Sequence, residues 1–292
     1  MSYAPPKTKT KTKTQQPKPK KTQQKLDYFH PITLSELNAT ARFLDRIDTK
    51  YILSFDKLEE LLPLFAKEFY ILQIANHRIF SYDNVYMDTD DLMFYYQQER
   101  WVKPRMKVRS RCYVESNLSF FEIKHKSRGI TRKFRYQRDA GDHGKMTKSA
   151  YRFFSGVYQT LCDKNPPQIQ PVMRTNYNRI TLVHMHSAER ITIDFNIETT
   201  SLIGKNLKQV NMGDVVILES KSSKKRGPSW EIMKKFKIRS SKGCSKYALG
   251  IAYSGLADAF LHFLPTMRKI ERISPPQISS LKQLPEIKCP NS

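Results

Sequence analysis

The sequence predicts a mixed α+β chain of eight to nine strands, curled so that charged faces line a water-filled tunnel and apolar faces pack beneath helices. Three observations carry this reading. In Lys103-Pro-Arg-Met-Lys-Val-Arg-Ser-Arg111, the cations Lys103, Arg105, Lys107, Arg109 and Arg111 share one face of an extended strand; Pro104, Met106, Val108, Ser110 and Cys112 share the other. The same alternation recurs in strand after strand along the chain. Amphipathic helices interrupt the strands and can cover the apolar faces. Same-face neighbours on a strand lie about 7 Å apart, so a row of cations repels itself unless water or an anion screens it. For one strand alone the other reading is an edge decorated with Lys and Arg against aggregation. The neighbouring strands favour the tunnel, which focuses positive potential between low-dielectric walls.

Taken in order, residues 1–25 carry Lys-Thr repeats, Gln and Pro with almost no apolar side chains, and are expected to form a disordered basic tail. A short helix follows between Asp27 and Ala41, capped by Thr33 or Ser35. Arg42–Leu53 reads as a strand with Arg46, Asp48 and Lys50 on one face. Ser54 caps an amphipathic helix over 55–68 that buries Leu58, Leu61, Leu62 and Phe65, with Pro63 inside it. Strands are expected at 69–75 and 78–88, and an aromatic helix over 90–101. After the cationic strand come strands at 119–126, with Glu122, Lys124 and Lys126 together, and at 130–138, with Lys133 and Arg135 together. A helix over 147–162 precedes a Pro-rich loop. Further strands are expected at 172–183, carrying Tyr177 and Arg179 on one face, at 189–197 (Arg190, Thr192, Asp194) and at 215–221 (Glu219, Lys221). A short helix over 227–236 and a long apolar helix from Ser245 to about Leu264 complete one domain, 26–265. The remainder, 266–292, is rich in Pro and Ser and reads as a poorly ordered tail.

The formal net charge is +24, and the eight lysines of residues 1–25 leave 24 − 8 = +16 on the rest. Between Arg100 and Arg138 stand 13 Lys and Arg against two acids, Glu115 and Glu122. Such an excess calls for an acidic partner: nucleic acid, nucleotide, polyphosphate or an anionic membrane. Cys112, Cys162, Cys244 and Cys289 show no CxxC spacing, which argues against a disulfide framework or zinc site and for a reducing compartment. No apolar run reaches the length of a membrane span and no signal-peptide core is present, so a cytoplasmic protein is expected. His125, His143, His184 and His186 have no metal-ligand spacing and receive no role.

Seven motifs then occur in a telling order: Arg46-Ile-Asp-Thr-Lys-Tyr51, Lys107-Val-Arg-Ser-Arg111, Phe121-Glu-Ile-Lys124, Tyr177-Asn-Arg179, Arg190-Ile-Thr-Ile-Asp194, Leu218-Glu-Ser-Lys221 and Ser245-Lys-Tyr247. From Ala41 to Leu256 the chain resembles the VTC (vacuolar transporter chaperone) domain, the polyphosphate polymerase branch of the CYTH-like triphosphate tunnel metalloenzymes. The resemblance implies an antiparallel tunnel barrel of about eight strands with helices packed outside. It implies polymerisation of the ATP γ-phosphate into inorganic polyphosphate with Mn²⁺ or Mg²⁺. Other branches hydrolyse triphosphates or cyclise ATP and usually carry Glu-x-Glu-x-Lys on the first strand. Here Arg46 replaces one acid, which favours the VTC branch and lowers the count of metal ligands.

Phosphoryl transfer needs neutralised triphosphate charge, a metal on the phosphates and an in-line acceptor. The expected phosphate ligands are Lys50, Arg109, Arg111, Lys124, Lys133, Arg135, Arg179, Arg190, Lys221 and Lys246, with Lys107 continuing the row and Lys103 and Arg105 at the tunnel mouth. Tyr177 is a candidate hydrogen-bond donor to phosphate, and Ser245 and Lys246 offer a helix N-terminus to an anion. Glu219 is the expected metal ligand; Glu122 and Asp194 are expected to orient cations. A non-catalytic polyphosphate sensor or scaffold and a triphosphatase remain alternatives. Nucleic-acid binding is disfavoured because only Tyr113 and Tyr177 are found among the cationic faces, and bases need stacking partners.

Overall fold

Alternation of charged and apolar residues becomes strand, and Ser or Thr before an apolar stripe becomes helix, through most of the chain. The computed structural model describes residues 24–40, 47–287 and 289. The expected basic tail up to residue 23, the beginning of the first long strand and Arg46 lie outside the described residues. In chain order the elements are β1 (Pro31–Ile32), α1 (Leu34–Thr40), β2 (Ile47–Ser54), α2 (Phe55–Phe65), β3 (Phe69–Leu72), β4 (Phe80–Asp88) and α3 (Met93–Glu99). There follow β5 (Arg105–Tyr113), β6 (Leu118–Ser127), β7 (Ile130–Arg138), α4 (Lys148–Cys162), β8 (Gln170–His184) and β9 (Arg190–Ser201). The last are β10 (Leu207–Asn211), β11 (Val215–Ser222), α5 (Pro228–Lys235), α6 (Lys246–Ser254), α7 (Leu264–Ile273) and β12 (Gln277–Leu281).

The caps behave as their side chains dictate. Glu36 N–H donates to Thr33 Oγ1 while Thr33 N–H donates to the Glu36 carboxylate, a reciprocal capping box. Lys57 N–H donates to Ser54 Oγ at 3.2 Å, and Ala150 N–H to Thr147 Oγ1 at 3.3 Å. Pro63 leaves the Glu59 carbonyl without its helical donor, and Lys25 Nζ donates to that oxygen at 3.2 Å.

All strands join one 12-stranded sheet, antiparallel except for the short β1–β3 pair. Eight of them follow the path β7-β6-β5-β4-β8-β9-β11-β2. Five strands separate β6 from β2 on that path, yet Lys124 Nζ of β6 lies 4.0 Å from the Asp48 carboxylate of β2. The sheet is therefore curled into a trough whose ends face each other. Among the described residues no backbone pairing joins β7 to β2. Beyond β2, Ser240 bridges to Tyr51 and Ser241 N–H donates to the Lys50 carbonyl, which extends that wall towards α6.

The convex side carries most of the apolar payload. Leu58, Leu61, Leu62 and Phe65 of α2 pack with Tyr51, Leu53, Ile191, Ile193, Val216 and Leu218. Phe154 and Tyr158 of α4 pack over Val85, Val108, Phe121 and Ile123. Helix α6 differs: its Tyr247, Ala248 and Ile251 cluster with Ile52, Tyr86, Met173, Tyr177 and Ile217, so it packs against the inner face of the trough and presents its N-terminus to the charged interior.

Three expectations need correction. The long helix from Ser245 stops at Ser254, because Gly255 takes φ +71° and supplies the left-handed cap that only Gly adopts cheaply. The stretch read as a poorly ordered tail holds α7 and β12, the latter pairing with β10; Thr266, Met267 and Ile270 are buried. Cys112 and Cys289 are disulfide-bonded, with Cα atoms 5.9 Å apart across 177 residues of sequence. Spacing could not reveal that pair, and it removes the cysteine argument for a reducing compartment. No described helix is long and apolar enough to cross a membrane.

Candidate functional site

Register places the charged residues on one face. On β5, Lys107, Arg109 and Arg111 stand opposite Lys124, Glu122 and Phe120 of β6; on β7, Lys133 and Arg135 stand opposite Lys124 and Glu122. Across the trough, Lys50 of β2, Glu219 of β11 and Thr192 of β9 form one rung, and Asp48, Lys221 and Arg190 the next. Asp194 stands opposite Arg179 of β8. The strand alternation thus brings together Lys50, Lys107, Arg109, Arg111, Lys124, Lys133, Arg135, Arg179, Arg190 and Lys221 with the four carboxylates Asp48, Glu122, Asp194 and Glu219, and α6 adds Ser245 and Lys246.

Two buried carboxylates, Glu122 and Asp194, and a half-buried one, Glu219, organise the cations. Glu122, 2% exposed, receives Arg109 Nε at 2.8 Å and lies 2.5 Å from Lys133 Nζ and 3.5 Å from Arg111 Nε. Burial opposes its ionisation, but Arg109, Arg111 and Lys133 hold it well below the usual carboxylate range. Asp194 grips Arg179 through both oxygens, at 2.6 and 2.8 Å, and also accepts from Lys246. Glu219 lies 2.5 Å from Lys221 Nζ and 3.6 Å from Lys50 Nζ. Lys50 also donates to the Cys244 carbonyl at 2.8 Å. Burial works hardest against its ammonium, yet Glu219, Cys244, Asp194 and Tyr86 together outweigh it and raise the Lys50 pKa.

Lys107 is the contrasting case. Its Nζ donates to Ser245 Oγ at 2.9 Å, and Ser245 Oγ in turn caps α6. Burial, then Lys50, Lys124, Arg109 and Arg105, push its pKa well below the usual lysine value. Arg135 lies over the Phe120 ring at 4.8 Å. Tyr177 faces Lys246 and Arg179 with its ring, 4.3 and 5.2 Å away, so it meets these cations through its π face. Lys103 is exposed beyond the start of β5, and Arg105 is half-buried at the end of the row.

Several lining residues were not anticipated. Tyr82, Asn84 and Tyr86 face the interior from β4, opposite Tyr113, Arg111 and Arg109. Asn84 Oδ1 accepts from Arg111 Nε at 3.0 Å, and Tyr86 OH accepts from Arg109 at 3.2 Å. Their period-2 spacing in 80–88 was readable, but without cations they drew no notice. With Phe120, they raise the aromatic content of the charged face above the two tyrosines expected, which weakens the composition argument against base stacking.

A divalent metal is implied by the resemblance, and the donor set can be tested against it. Among the described residues no group of three His, Cys, Asp or Glu converges. Glu219 is a single carboxylate shared by two ammonium groups. It fits a hard cation that would take its other ligands from phosphate oxygens and water.

Solved structures with a similar arrangement include a candidate adenylate cyclase from Bacillus halodurans, 13% identical, with a TM-score of 0.41 over 69% of this chain and 94% of that one. A candidate adenylyl cyclase from the plant Hippeastrum, described as having dominant triphosphatase activity, is 15% identical with a TM-score of 0.42 over 72% and 96% of the two chains. A Pyrococcus horikoshii protein is 11% identical, with a TM-score of 0.38 over 70% and 99%. No curated protein matches the sequence. The family model of the VTC domain matches residues 45–254, a span that takes in β2 through α6, and the chain belongs to the VTC domain family.

Proposed function

We propose that the trough binds the triphosphate of ATP and transfers its γ-phosphoryl group to a growing inorganic polyphosphate chain. One observation carries the reading. Ten cations (Lys50, Arg109, Arg111, Lys124, Lys133, Arg135, Arg179, Arg190, Lys221, Lys246) share this face with Lys107, whose charge burial disfavours, and with four carboxylates (Asp48, Glu122, Asp194, Glu219), an excess of 10 − 4 = 6 positive charges before Lys107 is counted. Such an excess between low-dielectric walls suits a chain of phosphates. The arginines can grip two oxygens of one phosphate while the lysines act as point charges.

The carboxylates hold the cations in place in the free protein. An entering triphosphate competes with Glu122 for Arg109, Arg111 and Lys133, and with Asp194 for Arg179 and Lys246. The cations then neutralise the charge that resists attack and align the chain's terminal oxygen with the γ-phosphorus, while ADP leaves. Glu219 would hold Mg²⁺ or Mn²⁺, which when bound neutralises phosphate charge. Ser245 and the first N–H groups of α6 offer further donors to the chain.

The test is to incubate the purified chain with ATP and Mn²⁺ or Mg²⁺ and to resolve the products on a gel. Polyphosphate chains with stoichiometric ADP are expected, and Glu219→Gln should lose them while still binding polyphosphate. ADP with free phosphate and no chains would instead identify a triphosphatase. Polyphosphate binding without turnover would identify a sensor or scaffold.

A further inference from the structure

At the Arg105 end of the cationic row, Trp101 is 46% exposed although it is one of only two tryptophans in the chain. It sits just past α3 with φ +54°, a left-handed conformation that Gly or Asn adopts far more cheaply than a bulky side chain. Its indole N–H is held by the His262 ring, whose centroid lies 4.7 Å away. The Arg105 guanidinium lies 5.2 Å from the indole centroid, and the structure gives it no carboxylate partner among the described residues. From Arg105 the row runs inward to Lys107, Arg109 and Arg111 on the same face.

We infer that Trp101 is the nucleobase platform of the site: the base of the donor nucleotide stacks on the indole, and its phosphates enter along Arg105, Lys107 and Arg109. This rests on the tunnel being a triphosphate site. A phosphate chain alone has no use for a half-exposed indole. A nucleotide does, because every base has a π face and stacking on an aromatic side chain tolerates any base. Arg105 covers the ring in the free protein and gains the nucleotide's first phosphate as a new partner when it swings away. The aromatics at the other end of the row are already engaged. Tyr82 stacks on Tyr177 at 5.3 Å and carries Arg179 and Arg111 at 4.8 and 5.4 Å. The arrangement gives the tunnel a direction: nucleotide at the Trp101 mouth, phosphate chain towards Arg111.

The two sources of affinity separate cleanly by comparing ATP with inorganic tripolyphosphate on the full chain by calorimetry. Trp101→Ala should weaken ATP binding about tenfold or more and leave tripolyphosphate binding unchanged, while Trp101→Phe should retain most of the ATP affinity. In Trp230→Phe, which leaves Trp101 as the sole indole, ATP should quench fluorescence and tripolyphosphate should not. Equal losses for both ligands, unchanged ATP affinity, or an ATP-specific loss in Tyr113→Ala instead would overturn the assignment. If the wild type binds tripolyphosphate poorly, the tunnel reading itself fails, and this one falls with it.

Discussion

Glu122→Gln isolates what the buried carboxylates do. The substitution keeps volume but removes the charge on which Arg109, Arg111 and Lys133 converge, and it points an amide N–H₂ or a weaker acceptor at three cations. Removing one partner from a buried ion pair costs about 3–5 kcal/mol. The lower end applies here, because the Lys133 side chain is 44% exposed and can turn to water. At about 2–4 °C per kcal/mol for a domain of this size, the unliganded variant should melt roughly 6–12 °C below wild type. Tripolyphosphate should restore at least half of that loss, because its oxygens take the place of the missing carboxylate. Differential scanning fluorimetry with and without tripolyphosphate reads both quantities. The sign with pH is fixed by the same pairing. The Glu122 pKa is depressed in the fold, so its stabilisation is present above the ordinary value of 4.5 and is lost as pH falls. The gap between wild type and variant should therefore narrow in acid. A melting change under about 2 °C, or equal stabilisation of both proteins by tripolyphosphate, would refute the idea that Glu122 is a stand-in for phosphate.

Two further outcomes are expected. Lys107 is held below its usual pKa by burial and by Lys50, Lys124, Arg109 and Arg105, while the nearby Asp88 is spent on Tyr247 OH and the N–H groups of Phe94 and Tyr95. The unfolded chain therefore binds more protons there, and this lysine's share of stability rises with pH up to the ordinary value of 10.5. A polyanion beside Lys107 raises its pKa again, so at a pH where the free protein has lost that proton, tripolyphosphate binding should take one up; calorimetry at rising pH in buffers of different ionisation enthalpy should show it, and Lys107→Met should abolish it. Thiol titration of the denatured, unreduced protein should find two reactive cysteines, Cys162 and Cys244. Four would show that Cys112 and Cys289 are not bonded, whereas a bonded pair predicts a loss of about 2–4 kcal/mol in Cys289→Ser.

The faces of the strands were legible because a period of two sorts side chains whatever the tertiary structure. That is why Lys50, Arg109, Lys124, Arg179 and Glu219 could all be named before any of them had neighbours. Which carboxylate meets which cation was not legible. Lys107 finds Ser245 across 138 residues, and Lys50 finds the Cys244 carbonyl across 194. Those meetings depend on the curl of the sheet and the position of α6, and no local pattern records either. The same holds for Cys112 and Cys289. The break at Gly255 was misread for a simpler reason: the apolar run continues through Leu256 and Phe260, and hydrophobicity outweighed one glycine that the backbone needed. Tyr82 and Tyr86 were passed over because a tyrosine in a strand signals packing as readily as lining.

The most direct measurement is the affinity of inorganic tripolyphosphate for wild type and for Arg109→Ala/Arg111→Ala, by calorimetry at one fixed ionic strength. These two guanidiniums sit half-buried and buried on the charged face, paired with Glu122, Asn84 and Tyr86. If they grip phosphate, their loss removes two charge-assisted contacts, and binding should weaken about a hundredfold or more. Unchanged affinity in the double variant would mean that the phosphate chain lies elsewhere and that this face is a network of internal ion pairs alone.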